Sequence, residues 1–321
     1  MRILMFGRGV IATLYGWALE WAGHDVEFYV RPGRAATYGN TIDLDVLDAR
    51  RRIWGRRVVQ KWPVRYREAL EPDHDFDLIV LSVQPHRLQE AAAFLAPRVG
   101  KATVLIFGNL WSEPSVAIGA LPADQVAWGF PQAGGGFGED GVLRGAILPP
   151  VVFGTFDRPP AERERAVRRL FREAGFRLRE QPDFRGWLLL HFVTNAGLHA
   201  QGLRLGSLAK LAGATGGLRE ALLTGRELLP LLEARGVDLR RHRLSALLFR
   251  APTWLTAPAL AWLLTHVAPV RANFAAHSDP EAEEPREICR DVLAEARRLG
   301  VAAPRLEAAE PHFARAGKGR A

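Results

Sequence analysis

The sequence predicts an α/β protein in which an N-terminal, mostly parallel sheet covered by helices is followed by an all-helical part. Short apolar runs alternate with turns and amphipathic segments as far as Arg179, which is typical of a parallel sheet with helical connections. Beyond Gln181 these runs stop, and long apolar stretches with helical spacing replace them. The length of 321 residues is enough for about two domains.

The predicted elements follow from composition and from the turn signals between them. The predicted strands are the short apolar runs 3–6, 26–30, 78–83, 103–107, 126–129 and 151–156. A charged helix over 159–173 and a short run at 176–178 complete the first domain, and the helical part is predicted to contain helices at 187–203, 218–234, 244–270 and 286–299. We therefore place a sheet domain at 1–180, an all-helical domain at 181–315 and a disordered tail at 316–321.

Composition excludes several classes of protein. The single cysteine, Cys289, cannot form a disulfide within the chain or supply a cysteine zinc cluster, which favours an intracellular protein without a structural metal. The first six residues read as a short apolar strand that runs directly into glycines, so no signal peptide is predicted. We expect a cytoplasmic protein.

The net charge of +8 raises the question of nucleic-acid binding. Only four of the 43 basic residues are lysines, and the arginines are spread along the chain without a recognised nucleic-acid module. Such a distribution reflects an arginine-rich composition, and we expect no nucleic-acid partner. A basic surface would favour acidic or phosphorylated small ligands.

One segment has nearly the length of a membrane span. Residues 251–270 contain no formal charge, but three prolines and His266 interrupt them. The segment therefore predicts a buried, kinked pair of helices or a loop, and no membrane partner is expected. The apolar surface around 244–264 also predicts self-association as a homodimer.

The first turn after the first predicted strand has a phosphate-binding pattern. The motif G-x-G-x-x-A follows a strand and opens a helix, as a dinucleotide-binding fingerprint requires. A glycine-bearing turn without a ligand is the alternative. The first glycine permits a tight turn, the second allows the backbone to approach a pyrophosphate, and the alanine permits close packing of helix on sheet. The candidate cofactor-binding residues here are Gly7, Arg8, Gly9, Val10, Ile11 and Ala12, within a Rossmann-type domain.

The end of the second predicted strand indicates which dinucleotide is bound. Enzymes that use NAD usually place a carboxylate there, whereas this chain has Arg31 and Arg34. Guanidinium groups make charge-assisted contacts to a 2′-phosphate, so the sequence predicts NADP(H). Two solvated loop arginines are the other interpretation.

These features together resemble the ketopantoate reductase family. The fingerprint at residue 7, an arginine after the second strand, an apolar strand before Asn109 and an all-helical second half make up the resemblance, which spans almost the whole chain. It implies an NADPH-dependent 2-oxo acid reductase of the pantothenate pathway, with a fold like that of 6-phosphogluconate dehydrogenase. It also implies that Gln84 lies near the cofactor. Asn109, shifted by one position from the family's Asn-Gly, would contact both nicotinamide and substrate.

The family's catalytic lysine is absent from its usual place. Family members carry it two residues after a tryptophan that begins the first long helix, but here Trp187 is followed by three leucines. The same helix offers His191, Asn195 and His199, which share one face because each is four residues from the next. His191 or His199 would then be the proton donor, and His199 would also contact substrate. Polar residues satisfied inside a helix bundle are the alternative.

The resemblance implies three further site residues. Counting back from the Gly-Val-Ala-Ala-Pro turn at 300–304 reaches Glu284, the counterpart of a family glutamate that contacts cofactor ribose or substrate. A solvated acidic helix start would equally explain the run of acids around it. Asn273 and His277 lie where family members place substrate-binding residues.

The resulting hypothesis is an NADPH-dependent 2-oxo acid reductase with a donor other than lysine. Two other functions remain open: an NADP(H)-binding sensor that has lost turnover, and an opine-type dehydrogenase.

Overall fold

The computed structural model describes residues 1–52, 54–275 and 283–314. The chain divides into two compact units, Met1–Arg185 and Gly186–Ala321. The border falls inside a helix that begins at Phe184, close to the end of the last strand at Gln181. Tail residues 315–321 lie outside the described part of the chain.

The strands all lie in the first unit. Within the described residues they are, in chain order, β1 Arg2–Phe6, β2 Asp25–Tyr29, β3 Thr41–Asp48, β4 Arg56–Pro63, β5 Tyr66–Arg67, β6 Leu78–Leu81, β7 Thr103–Phe107, β8 Val126–Phe130, β9 Ala133–Phe137, β10 Leu143–Ile147, β11 Pro150–Gly154 and β12 Arg177–Gln181. They form two sheets, one of eight strands in the order β12-β11-β8-β7-β6-β1-β2-β5 and one of four in the order β4-β3-β10-β9.

The large sheet confirms the predicted α/β class. Its strands from β8 through β5 pair in parallel, and only the β11–β8 pairing is antiparallel. The central strands read as continuous apolar runs because a parallel sheet is covered on both faces; every residue of β6 and β7 is buried.

The small sheet was not predicted. In β3 the side chains of Ile42, Leu44 and Val46 are buried and alternate with more exposed positions, which is the pattern of a sheet with one face on the core. The edge strand β9 of this sheet pairs with β10 and has the sequence Ala-Gly-Gly-Gly-Phe, which has almost no strand propensity. A strand of this kind forms through tertiary contacts, so the expectation of one sheet was incomplete.

Helices account for the remaining regular structure. Within the described residues they are α1 Val10–Trp21, α2 Ala35–Tyr38, α3 Leu88–Leu95, α4 Pro114–Ile118, α5 Glu162–Glu173, α6 Phe184–Leu205, α7 Leu208–Ala212, α8 Thr215–Glu227, α9 Leu229–Ala234, α10 Arg243–Arg250, α11 Thr253–His266, α12 Ala268–Ala275, α13 Glu283–Arg298 and α14 Pro304–Ala309. The helix predicted at 218–234 is broken at Leu228, two residues before Pro230, which cannot donate a helical hydrogen bond.

Helix α1 lies between the two sheets. A Cβ atom added at Gly16 would be 3.0 Å from Phe28 and 3.2 Å from Met5, both in the large sheet. On the other side, a Cβ atom added at Gly135 in β9 would be 3.1 Å from Cγ1 of Val10. The glycines therefore allow close approach of both sheets to the helix that follows the first turn.

The contact between β9 and β10 gives a stability prediction. Gly135 and Gly145 are cross-strand partners, and a Cβ atom on Gly145 would lie 2.4 Å from the carbonyl oxygen of Gly134. Because that neighbour is backbone, Gly145→Ala forces the strands apart, and we expect the free energy of unfolding to fall by about 3 kcal/mol. Chemical denaturation measures it. Gly213→Ala is the control because its Cβ meets nothing within 4 Å; an equal loss in the two variants would contradict the prediction.

The segment 251–270 differs from its prediction. The segment contains α11 and the start of α12, so it holds two helices as predicted, whereas the bend of 110° joins α11 to α10, which precedes the segment. The outer side of α11 is exposed, however, so the expectation of a buried pair was wrong for that side. In the described part of the chain no individual helix has the length and apolarity of a membrane span, although α10 and α11 taken together pass that test on length and composition.

Candidate functional site

The candidate site begins at the carboxyl edge of the large sheet. Strands β7, β6, β1 and β2 are parallel neighbours, so the loops that follow them all leave from the same edge. From β1 the chain continues to β2 on one side, and the later strand β6 pairs on the other side. Such a reversal of strand order opens a crevice at the edge, where open α/β sheets bind ligands.

The turn after β1 has the geometry of the predicted glycine motif. Gly7 has φ of +94°, a conformation that favours glycine, and its amide donates to the carbonyl oxygen of Tyr29 at 2.9 Å. Gly9 is the N-cap of α1, is exposed, and has open space where a Cβ would be. Ala12 is 1% exposed, in agreement with close packing of the helix on the sheet.

The first turn of α1 leaves its amides available. No side chain caps the helix, and its first turn contains no acidic residue. The first amides of a helix have no acceptor within the helix, and together with the helix dipole they favour an anion. The amides of Val10, Ile11 and Ala12 are therefore suited to a phosphate group.

Two buried polar atoms near this edge have no hydrogen-bond partner. They are Oγ of Ser82, directly after β6, and Oδ1 of Asn109, two residues after β7. Buried polar atoms without a partner are uncommon, and a ligand is one explanation for them. Asn109 was predicted to lie here; Ser82 was not singled out, because a lone serine in a loop carries no signal of its own. The predicted Gln84 lies at the same edge and is exposed.

Arg8 is held by aromatic side chains. Its Nε donates to the hydroxyl of Tyr66 at 2.8 Å, and its guanidinium lies 4.8 Å from the ring centre of Tyr38 and 4.6 Å from that of Phe137. These contacts fix the side chain beside the Gly7 turn.

Arg31 and Arg34 lie in the loop after β2, and both are exposed. An acid that was not predicted lies next to them. Glu68 follows β5, the parallel neighbour of β2, and accepts a hydrogen bond from the Ala35 amide at 2.7 Å. The amide of Ala35, with those of Gly33 and Arg34, lowers the pKa of this carboxyl below its usual value. The carboxylate of Glu68 and the guanidinium groups of Arg31 and Arg34 thus belong to neighbouring loops, which follow β5 and β2 at the carboxyl edge of the sheet.

The second unit carries a separate polar row on α6. His191 and Asn195 are half-buried on one face, and the ring of His191 stacks on Trp187 with centres 5.4 Å apart. His199, the third member of the row, is only 8% exposed. A nearly identical stack joins Trp262 and His266 on α11, so the Trp–His pair alone is a local feature of helical spacing.

The other predicted residues lie on different elements. Asn273 is half-buried on α12, and Glu284 is half-buried in the first turn of α13, while His277 lies outside the described residues. Among the described residues, no group of three or more histidine, cysteine, aspartate or glutamate side chains is arranged to hold a metal ion.

The sequence matches one family model. Residues 3–158 match the model described as ketopantoate reductase PanE/ApbA, which confirms the family resemblance. No curated protein sequence matches the chain.

Solved structures confirm the fold over nearly the whole chain. A 2-dehydropantoate 2-reductase from Geobacter metallireducens GS-15 superposes with a TM-score of 0.68 at 19% identity, covering 98% of this chain and 99% of that one. A PanE/ApbA family ketopantoate reductase from Ralstonia eutropha JMP134 gives 0.68 at 17%, covering 97% and 96%. A D-mandelate dehydrogenase in complex with NADH gives 0.71 at 11%, covering 98% and 97%. At these identities the likeness concerns the fold.

Proposed function

Because residues 3–158 match the ketopantoate reductase family model, we propose that this chain is an NADPH-dependent reductase of 2-oxo acids. The match supports an oxidoreductase, and the remainder of the proposal depends on the edge of the large sheet. The observation that carries it is the uncapped start of α1 behind Gly7 and Gly9, at the point where the strand order reverses.

The residues at this edge fit a nicotinamide dinucleotide. The amides of Val10, Ile11 and Ala12 would hold the pyrophosphate, and the orphaned oxygens of Ser82 and Asn109 supply acceptors for ribose hydroxyls or the carboxamide. When bound, the reduced cofactor supplies a hydride to the carbonyl carbon of the substrate. The amide of Asn109 would also donate to the substrate oxygen and hold it in place.

His191 is the proposed proton donor. Reduction of a ketone places negative charge on oxygen, and a protonated imidazole is a competent acid near neutral pH. The chain has leucine where family members carry the catalytic lysine, so another residue must take this role if turnover is retained. His191 is half-buried and is fixed by its stack on Trp187, whereas His199 is more deeply buried. Asn195, Glu284 and Asn273 are the proposed positioning residues.

Cofactor binding and a substrate panel test the proposal. We expect NADPH to raise the melting temperature and to be oxidised with at least one 2-oxo acid. Binding without turnover on any acid would favour the sensor function, which the missing lysine makes the second candidate. Turnover that requires an amine would favour an opine-type dehydrogenase, and no binding of either nicotinamide nucleotide would exclude all three functions.

Arginine variants test the choice of NADPH over NADH. With Arg31→Ala plus Arg34→Ala we expect the Kd for NADPH to rise about 10- to 100-fold, because charge-assisted hydrogen bonds to the 2′-phosphate are lost. The Kd for NADH should stay within about twofold, since it lacks that phosphate. Fluorescence titration measures both, and Arg52→Ala, an exposed loop arginine of the same unit, is the control.

Glu68→Gln should change the ratio of the Kd for NADPH to the Kd for NADH in the opposite direction. Removing a negative charge beside the two arginines should favour NADPH relative to NADH. An unchanged ratio in both the arginine and the Glu68 variants would contradict the placement of the 2′-phosphate in this loop.

A further inference from the structure

An ion pair joins the loop after β7 to the start of α6. Arg185, the second residue of that helix, donates from Nε and Nη2 to the two carboxylate oxygens of Glu113 at 2.6 and 2.5 Å. Both residues belong to the first unit, although 72 positions separate them in the chain. Two parallel charge-assisted hydrogen bonds of this kind fix direction as well as distance, so the carboxylate holds the guanidinium in one orientation.

Glu113 ends the loop that contains Asn109. The loop follows β7, and Glu113 is the N-cap residue of α4, where its carbonyl oxygen accepts from the amide of Ala117 at 2.9 Å. An acidic residue at this position normally caps the helix with its side chain, but here no side-chain cap is made. The carboxylate bonds to Arg185 instead. Since Asn109 is only four residues away, the ion pair limits the positions that the loop can take.

The chain that leads into α6 is fixed from a second direction. The ring of Phe184 is fully buried, and Gly154 has no room for a Cβ atom because this ring fills the space. Phe156 meets the same ring edge-to-face with centres 5.9 Å apart, and the amide of Asp157 donates to the carbonyl oxygen of Pro182 at 3.1 Å. Phe156 and Asp157 have φ of +50° and +60°, a region that residues other than glycine rarely adopt, so the surrounding contacts must hold them there. The entry to α6 is therefore a fixed point of the first unit.

The exposure of the ion pair argues against a role in stability alone. The side chains of Arg185 and Glu113 are 30% and 45% exposed. An ion pair this accessible to water adds little to the free energy of folding, because solvent screens it and both side chains lose freedom. Its bidentate geometry still determines where the β7 loop lies relative to the first turn of α6. The pair therefore supplies placement of the loop more than stability.

We propose that Arg185 and Glu113 are positioning residues for the reduction. The pair holds the loop of Asn109 against the start of the helix that carries His191. This inference rests on the proposed function, in which Asn109 binds the substrate oxygen and His191 protonates it. Helix α6 runs without a break over Phe184–Leu205, so the ion pair bears on the helix as well as on the loop. Displacements of about 1 Å caused far from the reacting atoms can lower turnover about 10²-fold, because reacting groups must meet within a narrow range of distances.

Single and double substitutions test the proposal. We expect Glu113→Gln and Arg185→Ala each to lower kcat about 10- to 100-fold on whichever 2-oxo acid the wild type reduces, while the melting temperature and the Kd for NADPH change little. The double variant should lose no more than the more affected single variant, because both changes remove one interaction. Arg185→Lys should recover only part of the loss, since an ammonium group cannot make the two parallel hydrogen bonds.

Arg297→Ala is the matched control. Arg297 makes a bidentate pair with Glu310 at 3.0 and 2.6 Å, and the two side chains are 52% and 38% exposed. The substitution removes an ion pair of the same kind at residues without a proposed role in the reaction, so kcat should stay at the wild-type level. If Arg185→Ala does not fold, Glu113→Gln, which keeps the shape of the side chain, and Arg185→Lys decide the question.

Four outcomes would overturn the inference. Wild-type kcat in both Glu113→Gln and Arg185→Ala would show that neither residue positions the reacting groups, and losses that multiply in the double variant would show that the two residues do not act as a pair. A fall in melting temperature that Arg297→Ala does not share would make the role of the pair structural. A wild-type chain that reduces no 2-oxo acid would overturn the proposed function and this inference together, whereas an active wild type with equally active variants overturns the inference alone.

Discussion

Gly9→Val is expected to weaken NADPH binding by about 10²-fold while leaving the fold intact. Gly9 has φ of −70° and ψ of 171°, which valine adopts without strain, and a Cβ there meets nothing within 4 Å. The added methyl groups would stand where the pyrophosphate must approach the amides of α1. The substitution thus separates binding from stability, which most changes in a glycine motif do not.

The measurements are a fluorescence titration with NADPH and a thermal melt. Gly216→Val is the matched control, because Gly216 is also exposed, lies in the first turn of a helix and has open space at its Cβ position. A Gly9→Val protein that binds NADPH as tightly as the control would show that the cofactor does not contact this turn. A melting temperature much lower than that of the control would contradict the view that the space is open.

His191→Ala is expected to lower kcat by 10²- to 10⁴-fold on whichever 2-oxo acid is reduced, the range that a general acid contributes. The Kd for NADPH should change little, because the dinucleotide is assigned to the first unit. In the wild type, turnover should decline as the pH rises, since only the protonated ring can donate. His199→Ala should have a smaller effect on kcat, because the imidazole of His199 is almost fully buried.

Exposed His312 provides the control for removal of an imidazole. Unchanged kcat in both the His191 and His199 variants would remove histidine from the mechanism. A loss of kcat in His191→Ala without any pH dependence would assign the ring a positioning role in place of proton transfer.

The parallel core could be predicted because each of its strands is recognisable from its own residues and from the turn residues beside it. Each strand that flanks the candidate site is a short apolar run bounded by turn residues, and the Gly7 turn is a motif with one geometric solution. Asn109 could be placed at this edge for the same reason, since it lies two residues after such a run. Strand β3 was not predicted, although Ile42, Leu44 and Val46 alternate with polar residues in the sequence as strand residues do.

What could not be predicted depends on pairing between distant segments. The glycines of β9 form a strand only because β10 and α1 are present to receive them. Glu68 approaches the amide of Ala35 because the two-residue strand β5 pairs with β2, about forty positions earlier in the chain. Neither the strand conformation of β9 nor the contact of Glu68 can be predicted from the residues that neighbour them in the sequence.

The small sheet has a consequence for the proposed cofactor site. A Cβ atom added at Gly135 would lie 3.1 Å from Cγ1 of Val10, so the small sheet packs directly against the first residue of α1. Loosening of the small sheet would make the position of the amides at the start of α1 less well defined, while the eight-stranded sheet stays intact. If the proposed nucleotide binds at the start of α1, side-chain volume between 133 and 137 would therefore change its affinity through packing alone.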